Sequence, residues 1–296
     1  MLDYPALAAV AAVARAGTFE RAAETLGVTP SAVSQRVRAC EERFGAILIV
    51  RGQPCTPTDL GRALCAHVER VRLLEADVAR ASFPSGAAGE PPTLGVAVNA
   101  DSLATWFPRA AAAFARGAGP TLDLALDDEA HTAERLRSGE VLAAVTSRAD
   151  PVAGCRTLSL GLLRYVACAS GEFMARHFPR GVTPAALASA PVMRFDRRDG
   201  LQARWAAEVH GTALRAPTHW IPSTQAFLDL CVAGLAWGLQ PQSLAAPHLA
   251  AGRLVELTPS TPLDVALHWN VSRLRSAFLR DLTAAVRVAA REGLRT

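Results

Sequence analysis

Apolar residues at helical spacing dominate the first sixty residues of the chain and predict three short helices. The inner face of the first helix carries Leu7, Val10, Val13 and Ala14. Gly17 ends this helix, and Thr18 caps a second helix that stops at Gly27. Thr29 and Pro30 then open a third helix, because threonine is a good N-cap and proline is tolerated at the first helical position.

The third helix, predicted over residues 30–44, has two different sides. Its apolar stripe consists of Val33, Val37, Cys40 and Phe44. Its other side presents Ser31, Ser34, Gln35 and Arg38. A helix, a short turn and a second helix with small polar residues outside are typical of a helix-turn-helix. Small serines would let the helix enter the major groove, whereas Gln35, Arg36 and Arg38 would reach base edges or phosphates. Periodicity alone is also compatible with a purely structural role for these helices.

A short strand is predicted over residues 47–50, followed by a turn-forming stretch at 51–55. This strand and turn would form a wing beside the recognition helix. The wing would include the turn from Arg51 to Thr56, in which Arg51 would meet a phosphate and Thr56 is a further candidate DNA contact.

A long helix over residues 58–81 follows, capped by Thr58. Leu64, Val71 and Val78 recur seven residues apart, with Val68 and Leu74 beside them. Such a seam predicts pairing between two subunits. An amphipathic helix that packs within its own chain is the alternative.

Residues 82–92 are rich in Ser, Gly and Pro and are predicted to form a hinge. Beyond them strands and helices alternate, which predicts an α/β domain with a parallel sheet. Strands are expected at 93–98, 122–126, 141–146, 163–169 and 266–270, and helices at 101–115, 132–138, 225–231 and 276–292.

Length and composition agree with a multi-unit globular protein. A chain of 296 residues predicts two or three structural units. The hydrophobic fraction of 50% and the charged fraction of 20% are those of a folded protein. The net charge is +4, and all the Lys+Arg positions are arginine. This bias suits phosphate contacts, and the alternative explanation is a GC-rich genome that favours arginine codons. No apolar run is long enough for a bilayer and no secretion signal is recognised, so a cytoplasmic protein is expected, without a membrane partner.

The sequence offers little for cofactor or enzyme chemistry. The six cysteines have no CxxC spacing, so core or incidental thiols are favoured over a redox switch. The seven histidines form no HExxH or paired-ligand pattern, and neither a metal nor another cofactor is expected. We find no nucleophile elbow and no glycine-rich phosphate loop, and Ser102 and His131 belong to no recognisable triad.

Two stretches carry a family resemblance. FERAAETLGVTPSAVSQRVRACEERFGAILIVR at 19–51 and PTDLG at 57–61 resemble the N-terminal signature of LysR-type transcription regulators. The resemblance implies a winged helix-turn-helix over residues 1–60, in which helix 30–44 reads DNA, and a linker helix over 58–81 that pairs two subunits. Pro30 departs from the polar residue usual there, and Cys40 replaces a common leucine.

The remainder of the chain resembles one branch of that family. AVNADSLATWF at 97–107, DDEAHTAERLRSGEVLAAVTS at 127–147 and FPRGVTPAAL at 178–187 are similar to arginine- and lysine-responsive regulators of basic amino acid export, also described as inhibitors of replication initiation. The resemblance implies a periplasmic-binding-protein-like (type 2) sensor over residues 93–296, with a first lobe at 93–162 and 266–296 and a second at 163–265. It also implies promoter DNA as partner, a dimer that assembles into a tetramer, and RNA polymerase as a further candidate partner.

Polar residues at strand ends are candidates for binding a basic amino acid in the cleft between the lobes. For the first lobe they are Asn99, Asp101, Ser102, Asp127, Asp128, Glu129 and Thr146. For the second they are Asp196, Ser223 and Thr224. A helix N-terminus at Ser102 suits an α-carboxylate, and the acidic cluster suits a guanidinium or ammonium group.

Simpler roles compete with these assignments. The acidic residues precede helices and would stabilise a helix dipole, and Ser223 and Thr224 would serve as an N-cap. Gln225 stands where a relative carries an acidic residue, which weakens the argument for a cationic ligand. The alternative function is an architectural or replication-origin DNA-binding protein that needs no effector.

Overall fold

The structure is a computed structural model that describes residues 2–82, 92–117, 119–126 and 131–296. Within these residues the helices are α1 (Tyr4–Ala16), α2 (Phe19–Leu26), α3 (Pro30–Phe44), α4 (Asp59–Ser82), α5 (Ala100–Ala104), α6 (Phe107–Ala115), α7 (Thr132–Ser138), α8 (Gly171–His177), α9 (Pro184–Ser189), α10 (Leu201–His210), α11 (Thr224–Val232), α12 (Gln242–Ala250) and α13 (Ala277–Gly293). The strands are β1 (Ile49–Val50), β2 (Thr56–Pro57), β3 (Thr93–Val98), β4 (Thr121–Leu126), β5 (Ala143–Thr146), β6 (Cys155–Ala169), β7 (Val192–Arg194), β8 (Thr218–Trp220), β9 (Gly238–Pro241), β10 (Val255–Glu256) and β11 (Leu263–Ser272).

The three N-terminal helices begin and end where the capping residues predict. The Thr18 side chain accepts a hydrogen bond from the backbone N–H of Arg21, and Thr29 accepts one from Ala32, each at 3.2 Å. The helices α1, α2 and α3 all end at a glycine in the left-handed conformation. Their apolar faces form one core, in which Val10, Val13, Val33 and Val37 are almost fully buried. The predicted helical trio is confirmed.

The wing strand is shorter than residues 47–50, since β1 begins at Ile49 and pairs antiparallel with β2. One carboxylate oxygen of Glu41 on α3 accepts the backbone N–H groups of Leu48 and Ile49, at 2.9 and 3.2 Å. Because the N–H groups of Leu48 and Ile49 donate to Glu41, they are not available to extend the pairing between β1 and β2. Gly61 packs directly on this segment, and a Cβ there would overlap the carbonyl oxygen of Leu48. That close approach explains the glycine in the PTDLG motif.

The linker helix α4 follows its predicted course from the Thr58 cap, whose hydroxyl accepts the N–H of Gly61 at 3.1 Å. The apolar seam divides between two environments. Leu64 and Val68 are buried against the N-terminal core, whereas Leu74 and Val78 are 37% and 66% exposed. One part of the seam therefore packs within the chain, as the alternative interpretation had it, and the other faces outward.

The end of α4 is held against the first turn of α13. The carboxylate of Asp77 accepts the backbone N–H of Ala277 at 3.0 Å. Arg80 forms an ion pair with Asp281 at 2.7 Å and lies over the Phe278 ring, 5.1 Å from its centroid. The linker helix is thus attached to the C-terminal domain by charge, hydrogen bonding and ring packing.

A seven-stranded sheet organises the C-terminal domain in the order β10-β6-β11-β5-β3-β4, with β9 also paired to β6. Strands β3, β4 and β5 are parallel, and the long strands β6 and β11 run antiparallel through the centre. Lobe 1 contains β3 to β5, α5 to α7 and α13. Lobe 2 contains α8 to α12 and β7 to β10, and the strands β6 and β11 cross between the two lobes. The predicted fold class, a winged helix-turn-helix followed by a two-lobed α/β sensor, is confirmed.

Several predicted elements differ at their ends. The helix expected at 101–115 is broken into α5 and α6, because Pro108 lacks the N–H that a continuous helix needs and Trp106 turns into the core. Strands β6 and β11 extend beyond 163–169 and 266–270, since each serves both lobes. The hinge predicted at 82–92 lies largely outside the described residues.

Among the described helices, none combines the length and apolar character that a membrane span requires.

Candidate DNA-binding surface and effector cleft

The outward side of α3 carries the predicted DNA-binding residues. Ser31, Gln35 and Arg38 are exposed, and Ser34 and Arg36 are partly exposed. The Arg38 guanidinium pairs with the carboxylate of Glu42 one turn further on, at 2.9 Å. The helix therefore offers small residues at its N-terminal end, where it would be closest to a groove, and cationic residues beside it.

The wing contributes Arg51 and Thr56, both exposed. The guanidinium of Arg51 lies 5.3 Å from the centroid of the Phe19 ring at the start of α2. This cation–π contact links the wing to the helix-turn-helix.

Asp101 is the predicted effector residue that the structure places most clearly between the lobes. It lies on α5 in lobe 1, and its carboxylate accepts two short hydrogen bonds. The Thr224 hydroxyl, on α11 of lobe 2, donates at 2.7 Å. The Tyr165 hydroxyl, on the crossover strand β6, donates at 2.6 Å. Thus Asp101 and Thr224 come together as candidates for one site.

A small cleft of about 50 Å³ opens beside Asp101. Its polar wall consists of Asp101, Asp199, Gln202, Thr224 and Gln240. The side-chain oxygens of Gln202 and Gln240 are buried and have no hydrogen-bond partner among the described residues. Buried acceptors are normally satisfied, so these two amides are poised to accept bonds from a donor that enters the cleft.

The electrostatics of the cleft are negative. Burial raises the pKa of Asp101, and the nearby charge of Asp199 raises it further, whereas the hydrogen bonds from Tyr165 and Thr224 lower it. Burial and the Asp101 carboxylate raise the pKa of the Tyr165 phenol well above its usual range. No arginine or histidine among the described residues makes an ion pair with Asp101 or Asp199. A cation in this cleft would relieve that unbalanced negative charge.

The structure assigns other roles to three residues that sequence reasoning placed near the ligand. Asp196 is in a turn, and its carboxylate accepts the N–H groups of Arg198 and Asp199 at 2.7 and 3.0 Å. Ser223 is exposed and caps α11 through the N–H of Ala226 at 3.3 Å. Gln225 is also exposed and bonds Asp229 on its own helix. Asp196 and Ser223 therefore have local structural roles in this structure, and a contact of either with an effector stays a prediction.

The residues near the start of α5 form a less complete cradle than predicted. Ser102 is fully buried, and its hydroxyl accepts the indole N–H of Trp106 at 3.0 Å. Asn99 precedes α5 with a buried side-chain oxygen that has no partner among the described residues. Thr146 is buried at the end of β5, where it accepts the N–H of Arg148 at 3.1 Å. The dipole of the five-residue α5 is weak, so this cradle stays a prediction.

The predicted acidic cluster of Asp127, Asp128 and Glu129 lies outside the described residues.

Sequence reasoning missed three polar residues that line the cleft, Asp199, Gln202 and Gln240. It also missed Tyr165, which bonds Asp101 beside the cleft. The two aspartates of the run Asp196–Asp199 look alike in sequence, and only the turn geometry turns the second toward the cleft. Tyr165 falls in a predicted strand, where its polar end could have been noted. Nothing local marks a glutamine as buried, because its burial depends on packing between distant elements.

Within the described residues, no group of three or more His, Cys, Asp and Glu side chains is arranged to hold a metal ion.

A winged helix-turn-helix joined by a long helix to a two-lobed sensor with a polar cleft defines a ligand-responsive DNA-binding regulator. Residues 5–62 match the family described as bacterial regulatory helix-turn-helix protein, lysR family. Residues 87–291 match the LysR substrate binding domain. The chain belongs to the LysR family of transcription regulators.

Known relatives place it more narrowly. The chain is 45% identical over 296 residues to the HTH-type transcriptional regulator ArgP of Pseudomonas aeruginosa, covering 99% of this chain and 98% of ArgP. It is 42% identical over 289 residues to the regulator LysG of Mycobacterium tuberculosis, covering 98% and 94% of the two chains. These full-length similarities confirm the branch and favour a regulator over an effector-independent architectural protein.

Solved structures agree. The crystal structure of ArgP from Mycobacterium tuberculosis superposes with a TM-score of 0.81 at 41% identity, covering 100% of this chain and 99% of that one. Full-length LysG from Corynebacterium glutamicum, solved with bound effector Arg, gives a TM-score of 0.72 at 39% identity, with 100% of both chains covered.

Proposed function

We propose that the chain regulates transcription in response to a basic amino acid, arginine or lysine, whose cationic side chain binds in the cleft beside Asp101. The observation that carries this proposal is the composition of the cleft. Two carboxylates, of Asp101 and Asp199, face a space that also contains two unpartnered amide oxygens. A guanidinium or ammonium group supplies the donors and the positive charge that such a wall lacks.

The relatives support the same ligand class. LysG of Corynebacterium glutamicum, solved with bound effector Arg, shares 39% of its residues with this chain over the full length. The negative cleft gives an independent physical reason for a cation, because it follows from the side chains of this chain alone.

Binding would require a change in the cleft. Its volume of about 50 Å³ is far below the roughly 300–1,000 Å³ of typical ligand pockets. The Asp101–Thr224 hydrogen bond closes the cleft from both lobes, so an effector would separate the lobes or replace this bond. A ligand can shift the lobe arrangement only if it binds one arrangement more tightly than the other.

In this proposal, α3 and the wing bind DNA. Ser31, Ser34 and Gln35 are proposed to meet base edges in the major groove. Arg36, Arg38, Arg51 and Thr56 are proposed to contact the phosphates. The domain limits predicted from the sequence, with DNA binding over 1–60 and effector binding over 93–296, are retained in this proposal.

Assembly would use the exposed part of the linker helix. Leu74 and Val78 lie on its outward side and would be covered by the same helix of a second subunit. We further propose that two such dimers form a tetramer, that RNA polymerase is contacted at the promoter, and that the protein acts in the cytoplasm without a cofactor or a catalytic activity of its own.

Titration calorimetry on the full chain tests the effector. L-arginine and L-lysine are expected to bind, whereas L-citrulline, which has the shape of arginine without its charge, is expected to bind at least about tenfold more weakly. Equal affinity for citrulline would reject the cationic cleft. Footprinting on promoter DNA with and without the effector tests regulation, and a protected pattern that the effector leaves unchanged would reject ligand control.

A further inference from the structure

A second cavity lies in lobe 1, away from the cleft. It has a volume of about 500 Å³ and is lined by the start of β6, the end of β11 and the first turn of α13. Unlike the cleft beside Asp101, it is already within the size range of small-molecule pockets, roughly 300–1,000 Å³.

Four arginines from three elements surround this cavity: Arg156 on β6, Arg273 and Arg275 in the loop after β11, and Arg280 on α13. No acidic side chain is among the described residues that line it. Arg156, Arg275 and Arg280 make no ion pair among the described residues. Like charges gathered in one place repel each other unless an anion neutralises them. All four arginines are exposed to solvent, so their guanidinium groups give the cavity an electropositive rim.

Apolar side chains form its floor. Val271 and Leu279 line it and are only 4% and 3% exposed, and the partly buried Leu274 lines it as well. Arg156 is directly opposite Val271 in the β6–β11 ladder, so their side chains share one face of the sheet. A guanidinium rim above an apolar floor suits a ligand with two parts, an anionic group and an apolar body.

The local backbone is well fixed. Arg273 donates from its Nε to the carbonyl oxygen of Cys155 at 3.1 Å, and the N–H of Ser272 bonds Leu142 at 2.8 Å. The first N–H of α13, that of Ala277, is already bonded to Asp77. The guanidinium groups, and not that first N–H, would therefore bind the anion.

We infer that this cavity is a second ligand site, which takes a small organic anion: a carboxylate or phosphate carried on an apolar body. The site is separate from the cleft proposed for the basic amino acid and requires ligand chemistry of the opposite charge. Its arginines would form charge-assisted hydrogen bonds with the anion, and the apolar floor would bury the ligand's body.

Titration calorimetry on the full chain tests this inference with four probes. Benzoate and phenyl phosphate combine charge with an apolar ring, benzamide lacks the charge, and inorganic phosphate lacks the ring. At least one of the first two is expected to bind saturably, with benzamide and inorganic phosphate at least about tenfold weaker than it. Failure of both aromatic anions to bind, or equal affinity for either control probe, would overturn the inference.

Alanine variants of the lining arginines test whether the aromatic anion binds in this cavity. Arg156→Ala and Arg280→Ala are each expected to weaken binding of the aromatic anion at least about tenfold. Arg287→Ala is the matched control, because Arg287 is exposed on the same helix and does not line the cavity. Equal weakening by Arg287→Ala, or unchanged affinity in the two cavity variants, would show that the anion binds elsewhere.

A thermal unfolding curve and L-arginine titration of each variant establish that it is folded. Should an alanine variant prove unstable, Arg280→Gln keeps part of the aliphatic stem and a polar end but removes the guanidinium charge, and the same loss of anion binding is expected of it.

Discussion

The carboxylate of Asp101 in lobe 1 accepts a hydrogen bond from the hydroxyl of Thr224 in lobe 2, at 2.7 Å. Because Asp101 is buried and Asp199 adds negative charge nearby, this bond holds the two lobes together around an electrostatically unfavourable group. The effector binding that we propose and the arrangement of the lobes therefore depend on the same carboxylate.

Replacement of Asp101 by asparagine is expected to weaken effector binding without lowering the free energy of unfolding. Asp101→Asn removes the charge that would pair with the effector, so affinity for L-arginine should fall at least about tenfold. The same change removes a buried carboxylate whose ionised form is disfavoured, so the free energy of unfolding near neutral pH should not decrease. Calorimetry and urea unfolding measure the two effects.

Asp229→Asn is the matched control, because Asp229 is an exposed aspartate on α11 that bonds only Gln225 among the described residues. It should leave both quantities unchanged. Retained arginine affinity in Asp101→Asn would remove Asp101 from the binding site.

Effector affinity should depend on pH through Asp101. Its pKa is raised, so the carboxylate takes up a proton at a higher pH than an ordinary aspartate, and a cationic effector requires the ionised form. Affinity is therefore expected to fall as the pH drops through this raised pKa and to recover as the pH rises above it. The sign for stability is opposite: the protonated group favours the folded state at low pH, and that contribution is lost as the pH rises.

Tyr165→Phe should move that decline to higher pH, since the hydrogen bond from Tyr165 is one of the two that lower the pKa of Asp101. Calorimetric titrations between about pH 4 and pH 8 would follow both profiles. Identical profiles for the wild type and Tyr165→Phe would contradict the assignment.

The pair Arg38 and Glu42 should act oppositely on DNA binding. Arg38→Ala removes the phosphate contact proposed for this side chain and should reduce the slope of log affinity against log salt by about 1. Glu42→Gln frees Arg38 from its 2.9 Å ion pair and removes a negative charge, so it should raise affinity. Mobility shifts at several salt concentrations measure both. Arg215→Ala, an exposed arginine in the sensor, should change neither.

Gln35→Ala should weaken the preference for one base pair of the operator. It should not lower the affinity for all DNA sequences equally. A side chain that reads a base edge contributes about 1–3 kcal/mol of discrimination at one base pair. Binding to a set of singly substituted operators would reveal the affected position. A loss of affinity that is equal across that set would indicate that Gln35 contacts the DNA backbone and not a base.

Val78→Glu should weaken subunit pairing. Val78 is 66% exposed on the linker helix, and a charge there could not be buried by a partner helix. The dimer dissociation constant from sedimentation should rise at least about tenfold. Val288→Glu places the same charge at an exposed valine of α13 and should have no effect. Equal behaviour of the two variants would rule out pairing through Val78.

The N-terminal helices were predictable because their signals are local. Thr18, Thr29 and the glycines that follow each helix act within a few residues of themselves, and the apolar spacing fixes the buried face. The division of the predicted helix 101–115 at Trp106 has a weaker local signal, of which Pro108 is the main part. The long strand β6 could not be delimited from sequence, because its ends are set by pairing with β11, about a hundred residues away.

The site was predictable in outline only. Asp101 and Thr224 were named from the sequence and lie together, but they are 123 positions apart and nothing local couples them. The sequence favours Asp196 as a site residue, whereas Asp199 lines the cleft, because the geometry of the turn decides which aspartate faces inward. The buried glutamines depend wholly on tertiary packing.

The central place of β11 in the sensor sheet has a consequence for biosynthesis. The core of the helix-turn-helix is complete once the chain has been made as far as Val68, so the DNA-reading part can fold early on the ribosome. The sensor cannot, because β11 lies between β5 and β6 and is among the last elements synthesised. A nascent or truncated chain that ends before Leu263 would therefore be able to occupy an operator without being able to respond to any ligand.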